Sequence, residues 1–150
     1  MYDRILVPTD GSDHADAAAE TAIDLAATLN ASVDVLCVVE VGPLGSISLP
    51  GERGSAEEIL GERARGFVDE IAERARARDV TVATEVREGI PVREILEYAG
   101  EIDADVVVMG SRGRGGIGRM MLGSVTEGVT RHSERDVLVV GDEATALSES

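Results

Sequence analysis

The stretch Asp105-Val106-Val107-Val108-Met109-Gly110-Ser111-Arg112-Gly113 decides the fold. Four consecutive apolar residues between an aspartate and a glycine are too few for a typical helix. Three of them are β-branched, and an unbroken apolar run is apolar on both faces of a strand. A central strand over 105–109 is the expectation, followed by a glycine-rich loop at 110–122 and a helix from Ser124 to His132. A strand buried on both sides needs helices on both faces of its sheet, and the rest of the chain must supply them.

It does so in regular alternation. Arg4-Ile5-Leu6-Val7-Pro8 is a short apolar run closed by proline, and Asp10-Gly11-Ser12 combines turn chemistry with a helix N-cap. Ala15, Ala18, Ala19, Ala22, Ile23, Ala26 and Leu29 recur at three and four, which predicts a helix over 12–30. Val33 to Val39 reads as a mostly buried strand. Residues 41–54 hold four glycines, Pro43 and Pro50, which is loop composition and suits a lid. Ser55-Ala56-Glu57-Glu58 has capping-box spacing, and Ile59, Arg63, Phe67, Ile71 and Ala75 continue at intervals of four, giving a long helix to about Arg78. Val80 to Val86 alternates like a strand at a sheet edge. Pro91, just after Gly89, fits a first helical position, with Ile95, Leu96 and Ala99 as the apolar face of a short helix. Val137 to Val140 is the last strand, and 141–150 reads as a disordered acidic tail. Residues 1–140 are thus expected to form a single domain.

Strands separated by helices, with connections long enough for right-handed crossovers, imply a parallel α/β sheet. In such sheets a ligand sits beyond the carboxyl ends of the strands, where strand order reverses. The chemistry is therefore expected just after Pro8, Val39 and Met109.

Composition narrows the function. The chain has 150 residues and a net charge of −15, from 29 acidic residues against 14 basic ones. Such a surface repels nucleic-acid phosphate and anionic lipid, so no nucleic-acid or membrane partner is expected. No apolar run approaches the roughly 20 residues of a membrane span, and Asp3 and Arg4 stand where a signal peptide would be hydrophobic, pointing to the cytoplasm. The single Cys37, with only His14 and His132 as histidines, excludes an internal disulfide and offers no metal cluster. Every basic residue is arginine, and lysine is absent. Excess carboxylate is tolerable where concentrated salt screens it, so a halophilic, salt-rich cytoplasm is inferred.

Within this acidic chain, 106–126 carries three arginines and no carboxylate. A local cationic island favours an anion. Glycines let the backbone approach a ligand and present several N–H groups, and Gly123-Ser124 opens a helix whose N-terminus attracts phosphate. A P-loop is excluded because there is no lysine. Gly113-Arg114-Gly115-Gly116-Ile117-Gly118 fits the dinucleotide string, but it begins several residues past its strand and does not lead directly into the helix, so it is a chance match.

The remaining spacing is Gly110-x2-Gly113-x9-Gly123-Ser124. Together with Val7-Pro8-Thr9-Asp10-Gly11-Ser12, Gly89-x-Pro91, Ala104-Asp105 and Leu122-Gly123-Ser124-Val125, it resembles the ATP-binding type of the universal stress protein family. The resemblance spans nearly the whole chain and implies an open five-stranded parallel sheet of order 3-2-1-4-5 with helices on both faces. By that likeness Pro8, Thr9 and Asp10 line ribose and phosphates, with Asp10 suited to a ribose hydroxyl or to a magnesium ion shared with phosphate. Val38 reads adenine through its backbone. Met109 packs near the nucleotide, and Gly110, Arg112 and Gly113 follow the sugar and phosphate path. Gly123, Ser124, Val125 and Thr126 hold the terminal phosphates. Arg112 stands where many relatives have histidine. The implied ligand is ATP, with ADP or AMP as alternative occupants.

Plainer roles compete. Asp10 also suits a turn, Thr9 and Ser12 a helix cap, and Val38 and Met109 an apolar core. No nucleophile–base pair or acid/base pair is legible, so no catalytic residue is expected. The reading is a nucleotide-dependent regulatory protein of the stress response. A slow ATPase or nucleotide-transfer enzyme in the same crevice and a nucleotide-free interaction module are the alternatives. The apolar last strand, at a sheet edge, is expected to pair with its copy in a homodimer.

Overall fold

The computed structural model describes residues 2–40, 56–112 and 123–141. The loop expected over 41–54, the cap at Ser55, Gly113 and the tail from 142 onward lie outside the described residues.

Five strands, β1 (Arg4–Pro8), β2 (Ser32–Val39), β3 (Val82–Glu88), β4 (Val106–Gly110) and β5 (Asp136–Val140), form one sheet of order β3-β2-β1-β4-β5. All four pairings are parallel. Between the strands lie α1 (Asp13–Leu29), α2 (Ala56–Ala77), α3 (Pro91–Glu101) and α4 (Ser124–His132). The expected order 3-2-1-4-5 is therefore the observed one, and it reverses between β1 and β4.

Alternation along the strands divides the core into two layers. Ile5, Val7, Val33, Val35, Val106 and Val108 face α1 and α2, where Ala18, Ala22, Ile23, Val68 and Ile71 meet them. Leu6, Leu36, Val107 and Met109 face the other way, onto Ile95, Tyr98 and Ala99 of α3 and Val129 of α4. The small alanines of α1 let that helix lie close to the sheet. Arg74 of α2 reaches Asp16 at 3.2 Å and Glu20 at 2.8 Å, and Arg78 reaches Asp24 at 2.7 Å, so ion pairs fasten α1 to α2 at their solvent edge.

Three helices end by the same device. Asn30, Asp79 and Asp103 adopt left-handed backbone angles (φ 58°, 59° and 54°). The following amides, of Ala31, Val80 and Ala104, donate back to the carbonyls of Ala26, Ala75 and Ala99 at 3.0, 3.0 and 2.9 Å. This is the Schellman closure, made here with Asn and Asp rather than the usual glycine.

That closure corrects the third strand. Val80 belongs to the end of α2, and β3 runs two residues further than expected, to Glu88, because Val39 of β2 still pairs with Glu88. Charge at Arg87 and Glu88 hides this continuation in the sequence. Asp34, in the middle of β2 and 2% exposed, receives two guanidinium bonds from Arg4 at 2.8 and 3.1 Å. A carboxylate inside an apolar strand requires such a partner, and the pair ties β1 to β2.

Candidate functional site

The reversal of strand order sets the carboxyl ends of β1 and β4 side by side, with Ile5 opposite Val106 and Leu6 opposite Val107. Continuing that register brings Pro8 level with Met109. From this edge the chain makes two departures, one into α1 and one into α4, and most of the expected site residues lie on them.

At the end of β1 the Thr9 amide still donates to Leu36 of β2 at 2.8 Å, and Thr9 is 6% exposed. The turn then closes on itself. The Gly11 amide donates to Thr9 Oγ1 at 3.1 Å, and the Ser12 amide donates to Asp10 Oδ1 at 3.0 Å. Asp10 therefore builds an Asx turn with one oxygen while standing half-buried at the crevice. Ser12 caps α1, its Oγ accepting from the Ala15 amide at 3.1 Å. Asp13 and Asp16 add two carboxylates to the first turn, so the positive end of α1 is already compensated.

The end of β4 is built differently. Gly110 is required by close approach: a Cβ there would stand 2.6 Å from the His14 carbonyl oxygen in the first turn of α1. Its own carbonyl accepts a buried hydrogen bond from Thr126 Oγ1 at 2.7 Å. Ser111 donates its amide to Val140 at 3.0 Å and accepts from the Gly123 amide at 2.7 Å. Ser111 and Gly123, described residues on either side of the glycine-rich segment, are thus joined by a backbone bond.

Helix α4 starts on Gly123, which has no side chain with which to cap it; the Glu127 amide is bonded to the Gly123 carbonyl at 2.9 Å. The amides of Ser124, Val125 and Thr126 have no acceptor within a helix by geometry. Of the two helices opening at this crevice, α4 rather than α1 is the one suited to an anion. Ser124 is exposed, Thr126 is buried, and Val125 packs against the second core layer.

The remaining expected residues occupy mixed positions. Met109 is 5% exposed and Val38 is partly buried, and both pack in the layer beneath α3 and α4. Pro8 and Arg112 are half-buried. Two neighbours of the site are not singled out by the sequence reading, Ser111 and Phe67. Ser111 has no distinguishing spacing, and Phe67 looks like an ordinary core position of α2.

A cavity of about 570 Å³ lies elsewhere, between α2 and the ends of β2 and β3. Its lining is Val39, Glu58, Gly61, Glu62, Arg65, Val86, Arg87 and Glu88. Mixed charges on an open surface, without convergent donors, do not make a binding site, and the β1–β4 crevice remains the candidate on chemical grounds. Among the described residues there is no cluster of three or more His, Cys, Asp or Glu able to hold a metal, and no helix long and apolar enough to cross a membrane.

The universal stress protein family model matches residues 1–141. The universal stress protein MJ0531 of Methanocaldococcus jannaschii is 37% identical over 140 residues, covering 93% of this chain and 82% of the relative. Universal stress protein YxiE of Bacillus subtilis is 33% identical over 147 residues, covering 93% and 99%. The solved structure of the protein MJ0577 superposes with a TM-score of 0.78 at 29% identity, covering 95% of this chain and 98% of the other. A universal stress protein solved in complex with cAMP gives 0.69 at 30% identity, covering 93% and 97%. The chain belongs to the universal stress protein family.

Proposed function

We propose that this protein binds ATP in the β1–β4 crevice and that nucleotide occupancy, rather than catalysis, is its output. The observation that carries the reading is the start of α4 on Gly123, which brings no capping side chain and is held by the Gly123–Ser111 bond at the end of β4. Helix amides without internal acceptors, in a segment (106–126) with three arginines and no carboxylate, are suited to phosphate. The relative solved with cAMP supports an adenine nucleotide as the ligand class.

In this reading Gly123, Ser124 and Val125 hold the terminal phosphates. Thr126 supports them from behind, since its hydroxyl proton is engaged by Gly110. Thr9 and Asp10 face the ribose, Pro8 and Met109 border the sugar, and the backbone of Val38 reads the base. Gly110, Arg112 and Gly113 follow the phosphate path. Asp10 is the carboxylate that would share a magnesium ion with the phosphates. Bound nucleotide would bring its own negative charge into the crevice and contact the loops that border it, which alters partner choice or self-association. Residues 1–140 act as one domain here, and the copy-to-copy contact is β5, an edge strand on which Leu138 is 40% exposed.

Chromatography of whatever is released when the purified protein is denatured tests the binding reading. Adenine nucleotide at near one per chain is expected, and its loss in a Gly113→Val, Gly123→Val double variant that still folds. Equal occupancy in that variant contradicts the proposed cradle. Leu138→Glu is expected to shift sedimentation from dimer to monomer; a monomeric parent protein at all concentrations contradicts pairing through β5.

A further inference from the structure

We infer that Phe67, the single phenylalanine of the chain, is a positioning residue for the turn Thr9–Ser12, so that helix α2 sets how well Asp10 meets the nucleotide. This rests on the nucleotide-binding reading above. Gly11 has φ +81°, a left-handed conformation, and three ring carbons of Phe67 lie 2.5, 2.6 and 2.7 Å from where a Cβ on Gly11 would stand. The ring edge therefore occupies the space a side chain would fill. Glycine at position 11 answers two demands at once, the turn and the ring.

The two partners differ in how firmly they are held. On α2, Ala64, Val68 and Ile71 are between 0% and 2% exposed against the sheet, and Arg74 and Arg78 are paired with α1. The turn is anchored at its ends, by the Thr9 amide on Leu36 at 2.8 Å and by Ser12 on α1, and between them carries two local bonds of 3.1 and 3.0 Å made by Thr9 and Asp10. A residue at positive φ next to such short-range bonds gains its fixed position from packing, and Phe67 is the packing that α2 supplies. Asp10 immediately precedes Gly11, so a displacement of the ring is passed to its carboxylate within one peptide unit. Elements far from the crevice that touch α2 can thereby change ligand affinity without touching the ligand.

A double-mutant cycle on the full chain, read by titration with ATP in molar KCl, tests this. Phe67→Ala is expected to weaken ATP binding about tenfold in the parent background and to do so far less in an Asp10→Asn background, because its effect passes through that carboxylate. Phe67→Leu should recover part of the affinity. Val68→Ala, which truncates a more deeply buried residue of the same helix, should lower the melting temperature and leave ATP affinity unchanged. The inference is overturned if Phe67→Ala binds ATP like the parent, if its cost is the same in both backgrounds, or if Val68→Ala loses affinity equally. Should Phe67→Ala not fold, Phe67→Leu decides by the same criteria. A parent protein that binds no ATP overturns the nucleotide reading and this role with it, whereas a parent that binds ATP beside an indifferent Phe67→Ala overturns this role alone.

Discussion

The Thr126 hydroxyl donates to the Gly110 carbonyl at 2.7 Å in a buried position, tying the first turn of α4 to the last residue of β4. The bond joins the two ends of the glycine-rich segment on the side of the core, as the Gly123–Ser111 backbone bond joins them at the rim. Thr126→Val keeps the shape and removes the donor. It should cost about 1 kcal/mol of stability, measured by urea unfolding. A larger fractional effect on ATP affinity is expected, because the bond orients the amides of α4. Unchanged stability and affinity would show that α4 is held without it.

Gly110→Ala should be far more damaging. The new methyl meets the carbonyl oxygen and carbon of His14 at 2.6 and 2.8 Å, and both are backbone atoms that move only with α1. Forcing apart two packed elements costs about 1–3 kcal/mol or more. Gly66→Ala in α2, where nothing stands within 4 Å of the added carbon, should instead stabilise by about 0.5–1 kcal/mol. Thermal melting of the two variants should move in opposite directions; melting temperatures shifted the same way contradict the packing described.

Asp105 accepts the backbone amides of Asp3 and Arg4 at 2.8 and 2.9 Å. These bonds, the Asp3 amide first, hold its carboxyl below the usual aspartate value of 3.8. A group whose pKa is lower in the folded state binds protons more readily when unfolded. Its contribution is therefore complete above about pH 4 and disappears as the pH falls through the folded value. Asp105→Asn should flatten the acid limb of the stability curve below about pH 4. An unchanged acid limb would remove Asp105 from the account.

The charge balance makes a separate prediction. With a net charge of −15 and no lysine, self-repulsion should dominate in dilute buffer. Molar KCl should raise the melting temperature even though it weakens exposed pairs such as Arg78–Asp24 at 2.7 Å. A melting temperature that fails to rise between dilute and molar KCl contradicts salt adaptation.

The elements were readable where periodicity and caps agreed. The alanines of α1, Pro91 at the start of α3 and the run Val106–Met109 each carried their own local signal, and the sheet order followed from the family resemblance. Val80 misled because its side chain fits a strand alternation while its amide closes α2 through Asp79, a left-handed position that glycine usually marks. Arg4 and Asp34 are 30 residues apart, and their pairing exists only once β1 and β2 are neighbours. Asp34 itself was the available signal, as a charge inside an apolar run. At the site, the sequence pointed to glycines as phosphate donors; it could not show that Gly110 packs against the His14 carbonyl or that Gly11 lies beneath Phe67, because those contacts join elements distant in sequence.

The central claim is that backbone amides at the start of α4, held at the end of β4, bind the phosphates of an adenine nucleotide. Calorimetric titration of the nucleotide-free protein with ATP in molar KCl tests it most directly, with adenosine as the comparison. The account predicts saturable binding at one ATP per chain, much tighter than adenosine, and a loss of that difference in Gly123→Val. No heat of binding, or equal affinity for adenosine and ATP, would contradict it.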